Sequence, residues 1–98
     1  MPGSENSSGQ VFSYVYVLES IDYAGEIYIG YTSDLKKRLV QHNKGLNIST
    51  KRYAPWRLIY YEACCDRMDA ERREKYLKTS QGRRLLKLRL KEYFYKKT

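Results

Sequence analysis

The sequence predicts an α+β domain: a small three-stranded antiparallel sheet flanked by helices, in the order β-β-α-β-α-α. Three observations carry this. Segments 11–20, 27–31 and 56–64 are rich in β-branched and aromatic residues, as strands are. The first two are separated by "IDYAGE", too short for a parallel crossover, so they pair as an antiparallel hairpin. Residues that cap helices, first Thr32, Ser33 and Asp34 and later Asp66, stand just before stretches of helical spacing.

Each element follows in turn. In "VFSYVYVLES" the alternation puts Tyr14, Tyr16 and Leu18 on one face and Val15 and Val17 on the other. Asp22 and Gly25 supply turn chemistry. The strand "IYIGY" leads through the cap residues into a helix over about 34–44, which Gly45 can end. "LNISTKRYAP" is a polar loop, and "WRLIYYEAC" is the third strand. Asp66 caps a second helix running to about residue 78, with Ala70 and Leu77 inward. "TSQG" interrupts it, and "RRLLKLRLKEYFY" forms the final helix. Leu85 and Leu88 mark its packed side, which Leu86, Leu90 and Tyr93 broaden.

Composition narrows the function classes. Ninety-eight residues with 42% apolar content fit one domain and one modest core. Residues 1–10 have the composition of a flexible leader or expression remnant, which leaves residues 11–96 for the domain. No run approaches the ~18–20 apolar residues of a membrane span, and no signal peptide is expected, so a cytoplasmic location is the expectation. Cys64 and Cys65 are adjacent and bridge only with strain. No second pair completes a zinc site, so plain thiols are expected. Asn47-Ile48-Ser49 matches a glycosylation sequon and is read as chance.

Net charge is +8. Residues 1–66 hold seven Lys/Arg against seven Asp/Glu, and residues 67–98 hold twelve against four, so the excess lies in the last third. A basic third on a small domain suits a polyanion, such as DNA, RNA or an acidic membrane surface; a soluble charged surface is the alternative. On the final helix, Arg83, Arg84, Lys87 and Lys91 form a basic stripe opposite Leu85 and Leu88. It either tracks phosphates or is a solvated outer face. Lys51, Arg52, Tyr53 and Trp56 could grip unpaired bases, with Trp56 alternatively a core residue at a strand start.

Several polar residues sit in awkward places. On the first helix Leu35 and Leu39 set the apolar direction, and Arg38 and His42 lie beside it, one turn apart. They either reach across the sheet edge, or Arg38 snorkels and His42 is satisfied locally. Glu74 projects near the inward face of the second helix, where a carboxylate must be paired, hydrogen-bonded or metal-bound. Tyr16 and Tyr28 lie on neighbouring strands and are read either as core or as a pair of phenols. Gly30, at a strand end, permits a close approach or a sharp turn. Together these residues form an inventory suited to phosphodiester cleavage: a carboxylate for one hard divalent ion, a guanidinium for phosphate charge, and a phenol or imidazole for a proton.

With Tyr14-Val15-Tyr16 as a first motif and Tyr28-Ile29-Gly30 as a second, the chain resembles the GIY-YIG nuclease superfamily, in particular its small single-domain bacterial members. "TSDLKKRLVQHNKG", a strand ending "YYEA" and "DAERREKYLK" follow in family order, over roughly residues 12–80. The resemblance implies DNA hydrolysis at a single Mg²⁺ or Mn²⁺. It matches Tyr16 and Tyr28 to the motif tyrosines, Arg38 to the helix arginine, His42 to the residue one turn on, Glu74 to the metal-binding glutamate and Gly30 to the structural glycine. It also implies 5′-phosphate and 3′-hydroxyl products. Tyr14 departs from the pattern by replacing the first-motif glycine. No asparagine follows Glu74, so the substrate grip there differs. The expected partner is DNA, with a monomer acting on it and DNA repair as a setting. A non-catalytic nucleic-acid-binding module or an adaptor domain of the same fold is the competing reading.

Overall fold

The computed structural model describes residues 11–96, so the leader expected at residues 1–10 lies outside the described residues. The elements are β1 (Ser13–Ser20), β2 (Ile27–Thr32), α1 (Leu35–Asn43), β3 (Trp56–Cys64), α2 (Arg67–Leu77), α3 (Ser80–Arg89) and α4 (Lys91–Lys96). The strands form one antiparallel sheet in the order β2-β1-β3. A register shift after Val17 leaves Ile59 as an extra residue on β3.

Every residue of the central strand β1 is buried, because helices or loops cover both of its faces. Tyr14, Tyr16 and Leu18 pack with Leu35 of α1 and with Trp56. Val15 and Val17 pack with Ile29, with Ala70 and Leu77 of α2, and with Leu86 of α3. The alternation read from the sequence therefore separates two apolar half-cores, and the sheet is the middle of three layers.

Polar clamps fix the helices. Asp34 and Asp66 are the N-caps expected for α1 and α2, accepting from the N–H groups of Lys37 and Met68. Asn43, at the end of α1, accepts from the Trp56 N–H at 2.6 Å and donates to the Trp56 carbonyl at 3.1 Å. Arg73 of α2 grips Glu62 of β3 with a two-pronged fork, Nε–Oε1 2.9 Å and Nη2–Oε2 3.0 Å. Burial opposes charge on Glu62, but Arg73 and the Tyr60 hydroxyl outweigh it, and its carboxyl lies below the usual range.

The C-terminal helix differs from the sequence reading in three ways. It starts earlier, at Ser80, because Thr79 caps it by accepting from Gly82 N–H. It breaks at Leu90, and α4 turns so that the Tyr93 hydroxyl donates to Glu19, a buried carboxylate on β1, at 2.5 Å. Leu88, expected on the packed side, is 67% exposed, whereas Leu86 is buried. The basic row consequently does not stand opposite the packed side. Arg83, Lys87 and Lys91 flank Leu86 and Leu90 along a groove against Val17 and Ile27.

Gly82 seats α3 directly on the end of α2. A Cβ there would meet the Tyr76 carbonyl oxygen at 2.1 Å and Leu77 Cα at 2.5 Å, both backbone atoms that cannot swing aside. Gly82→Ala is expected to cost about 3 kcal/mol, read as a fall of more than about 10 °C in thermal unfolding midpoint.

Candidate active site

At the end of the sheet where β1 begins and β2 finishes, a cleft of about 390 Å³ opens between the two helical layers. It is lined by Tyr16, Tyr28, Gly30, Arg38, Arg67 and Glu74, together with Ser13 and the corner formed by Tyr31, Thr32 and Ser33. Arg38 comes from α1, on the Tyr16 side of the sheet. Arg67 and Glu74 come from α2, on the valine side.

Tyr16 occupies its place because Gly30 has no side chain. The two residues are cross-strand partners. A Cβ on Gly30 would stand 2.5 Å from the Tyr16 hydroxyl and 2.7 Å from the ring carbon that bears it. The phenol lies across that gap beside Tyr28, with ring centroids 6.3 Å apart. Burial pushes the Tyr16 phenol up to about 12; Tyr28 adds to this, and the Arg38 guanidinium beside it pulls the other way.

Behind Tyr16 stands His42, fully buried rather than at the margin of the stripe. Its Nε2 is 2.9 Å from the Tyr16 hydroxyl, and its Nδ1 is 2.7 Å from the Thr50 hydroxyl. Its ring also packs against Tyr28 at 5.0 Å between centroids. Burial, then the charge of Arg38, holds the imidazole below its ordinary range, so it is neutral at neutral pH.

Glu74 is nearly buried, with only 13% of its side chain exposed. Its Oε2 accepts from Lys78 Nζ at 2.8 Å. The partner of the carboxylate is thus a lysine one turn on, at the end of the same helix, rather than an arginine, and with Lys78 45% exposed it can swing into solvent. No group of three or more His, Cys, Asp or Glu side chains is placed to hold a metal among the described residues. A lone carboxylate in a cleft lined with hydroxyls suits a single hard divalent cation that keeps several waters, and does not suit an all-protein cage.

The remaining candidates stand elsewhere. Lys51 and Arg52 are exposed on a short 3₁₀ turn outside the cleft, with the Arg52 guanidinium 5.3 Å over the Tyr53 ring. Trp56 is buried and donates its indole N–H to the Thr50 carbonyl, so it is a core residue and offers no stacking face. Arg83, Lys87 and Lys91 line the separate groove, and Arg84 is exposed outside both. Cys64 and Cys65 are free thiols. Two residues escaped the sequence reading. Arg67 shares the helix face of Glu74 two turns away, a spacing that could have revealed it. Thr50 lies in a polar loop, and nothing in the local pattern distinguishes it.

A three-layer α+β domain thus gathers motif tyrosines, two guanidinium groups and one carboxylate around a cleft at a strand-to-helix corner. The chain belongs to the GIY-YIG catalytic domain family, which matches residues 12–88. The resemblance read from the motifs is borne out, and the match extends into α3. A UPF0213 protein of Staphylococcus saprophyticus is 36% identical over 76 residues, covering 76% of this chain and 90% of that protein. A UPF0213 protein of Streptococcus pyogenes serotype M3 is 51% identical over 51 residues, covering 51% of this chain and 53% of that protein. Over that alignment the chain spans about half the length of the streptococcal relatives it matches. No solved structure gives a significant match. No helix among the described residues is long and apolar enough to cross a membrane.

The depressed His42 has a consequence for stability. Below its ordinary value of ~6.5 the unfolded chain takes up a proton that the folded imidazole resists, so stability is lost as pH falls below that value. Urea midpoints measured at pH 7.5 and pH 5 are expected to drop for the wild type, and to lose that histidine component in His42→Gln.

Proposed function

We propose that this chain is a metal-dependent endonuclease that hydrolyses DNA phosphodiester bonds. The observation that carries the reading is the convergence of Tyr16, Tyr28, Arg38 and Glu74 on one open cleft, from two strands and two helices in three layers. Glu74 is the residue that would hold one Mg²⁺ or Mn²⁺, and the ion would supply charge at the phosphate and lower the cost of its developing negative charge. GIY-YIG nucleases generally use divalent metal ions, which agrees with the donor set.

The protein's own residues account for the other roles. Arg38 and Arg67 face the cleft from opposite helical layers and pair with non-bridging oxygens of the scissile phosphate. Tyr28 orients the attacking water. Tyr16 takes the proton from that water while its own proton passes to His42 Nε2, 2.9 Å away. The pKa of about 12 favours this concerted route. A phenol at that value is ionised to only about one part in 10⁵ at neutral pH, so a standing phenolate would be too scarce, whereas a neutral imidazole behind it is a ready acceptor. The water oxygen forms a new bond to phosphorus, the bond to the 3′ oxygen breaks, and solvent protonates the leaving alkoxide. Products carry a 5′-phosphate and a 3′-hydroxyl. A monomer suffices, since every proposed residue comes from one chain. The exposed Lys51, Arg52, Arg83, Arg84, Lys87 and Lys91 extend the phosphate-binding surface.

The test is cleavage of end-labelled single-stranded, duplex and branched DNA, each with Mg²⁺, Mn²⁺ or EDTA. Cutting that requires metal and falls about 10²–10³-fold in Glu74→Ala and Arg38→Ala is expected. Salt-sensitive binding with no cutting of any substrate would contradict the proposal and point to a binding module, and equal cutting by the variants would point to a contaminant.

A further inference from the structure

Thr50 is not among the residues lining the cleft, yet it is fully buried and its hydroxyl touches the imidazole that backs the Tyr16 phenol. The direction of that bond follows from counting hydrogens. The Thr50 hydroxyl has one hydrogen, and besides the imidazole its acceptor is the Asn47 carbonyl, a long contact at 3.5 Å. Tyr16 has one phenolic hydrogen, and among the described residues its hydrogen-bond acceptor is His42 Nε2.

Suppose the imidazole hydrogen were on Nε2. The Tyr16 oxygen would then receive it, the Tyr16 O–H would lose its acceptor within the protein and be left to cleft water, and Thr50 would have to turn its own hydrogen onto Nδ1. With the hydrogen on Nδ1, every member of the row is satisfied. Tyr16 donates to Nε2, Nδ1–H donates to Thr50, and Thr50 donates to Asn47. The second arrangement matches every donor of the row within the protein and leaves the Tyr16 oxygen lone pairs free to face the cleft, so it is the favoured one.

The Thr50 backbone is itself held at both its polar groups. Its carbonyl accepts the Trp56 indole N–H at 3.0 Å, and its N–H donates to Asn47 at 3.1 Å. Trp56 is in turn clamped to α1 by Asn43, on the residue next to His42. The loop, the start of β3 and the end of α1 thus converge on one residue, Thr50. We propose that Thr50 is a positioning residue that holds His42 with its hydrogen on Nδ1, so that Nε2 offers a lone pair to the Tyr16 phenol. This deepens the proton route proposed above and rests on it for its catalytic consequence, though the tautomer itself does not.

The chain has one histidine, so a long-range ¹H–¹⁵N correlation spectrum of the labelled protein reads this tautomer without ambiguity and without metal or DNA. The wild type is expected to carry its hydrogen on Nδ1. Thr50→Val keeps the side-chain shape and removes the acceptor; the hydrogen is expected to move to Nε2, wholly or in part. DNA cleavage by that variant is expected to fall about 10- to 100-fold in kcat with KM little changed, and Thr50→Ser is expected to restore both tautomer and rate. A wild type with its hydrogen on Nε2, or a Thr50→Val protein that keeps it on Nδ1, would overturn the proposal. If Thr50→Val fails to fold, the wild-type tautomer decides alone. If the wild type cuts no DNA, the proton route fails while the spectrum still decides the role of Thr50.

Discussion

The site depends on one packing constraint: a phenol laid across the bare backbone of a neighbouring strand. Tyr16 and Gly30 are partners in the ladder, and the Tyr16 hydroxyl occupies space that any side chain on Gly30 would fill. That contact sets where the oxygen lies. It also lets the oxygen reach His42 on one side while the ring still borders the cleft. The same burial that fixes the phenol makes its anion costly, so the geometry and the electrostatics favour a shared proton over a preformed phenolate.

The cleft needs both helical layers to be held in place. α1 brings Arg38 and His42 to one face of the sheet, and α2 brings Arg67 and Glu74 to the other. Two clamps outside the cleft lining hold those helices. Asn43 ties the end of α1 to the first residue of β3, and the Glu62–Arg73 fork ties α2 to the far end of the same strand. Glu74 follows Arg73 directly, so the tether that anchors α2 to the sheet also limits how far the cleft carboxylate can drift. β3 itself contributes no residue to the cleft lining. Its contribution is to hold the two helices that do.

Much of this was legible in the sequence, for identifiable reasons. Strand and helix bounds followed from alternation and from Asp34 and Asp66, whose capping is a local property. Two polar residues at inward-facing positions had to find partners: His42 meets Tyr16 and Thr50 behind the cleft, and Glu74 meets Lys78. The C-terminal helix was misread because its faces are set by distant contacts. Gly82 fits only against the Tyr76–Leu77 backbone, and the bend at Leu90 accompanies the reach of Tyr93 to Glu19, 74 residues earlier in the chain. Neither is visible in a helical wheel, which puts Leu88 inward and the basic row outward. Thr50 was missed for the same reason, since its importance comes wholly from what the fold brings against it.

Convergence on a single ion is the central claim, and Mn²⁺ titration of ¹⁵N-labelled protein followed by paramagnetic line broadening tests it most directly. The expected result is early, selective broadening of Gly30, Tyr31, Thr32 and the Arg38 side chain, at the mouth of the cleft, abolished by Glu74→Gln. Broadening centred on another part of the molecule, or broadening at the cleft that survives Glu74→Gln, would contradict it.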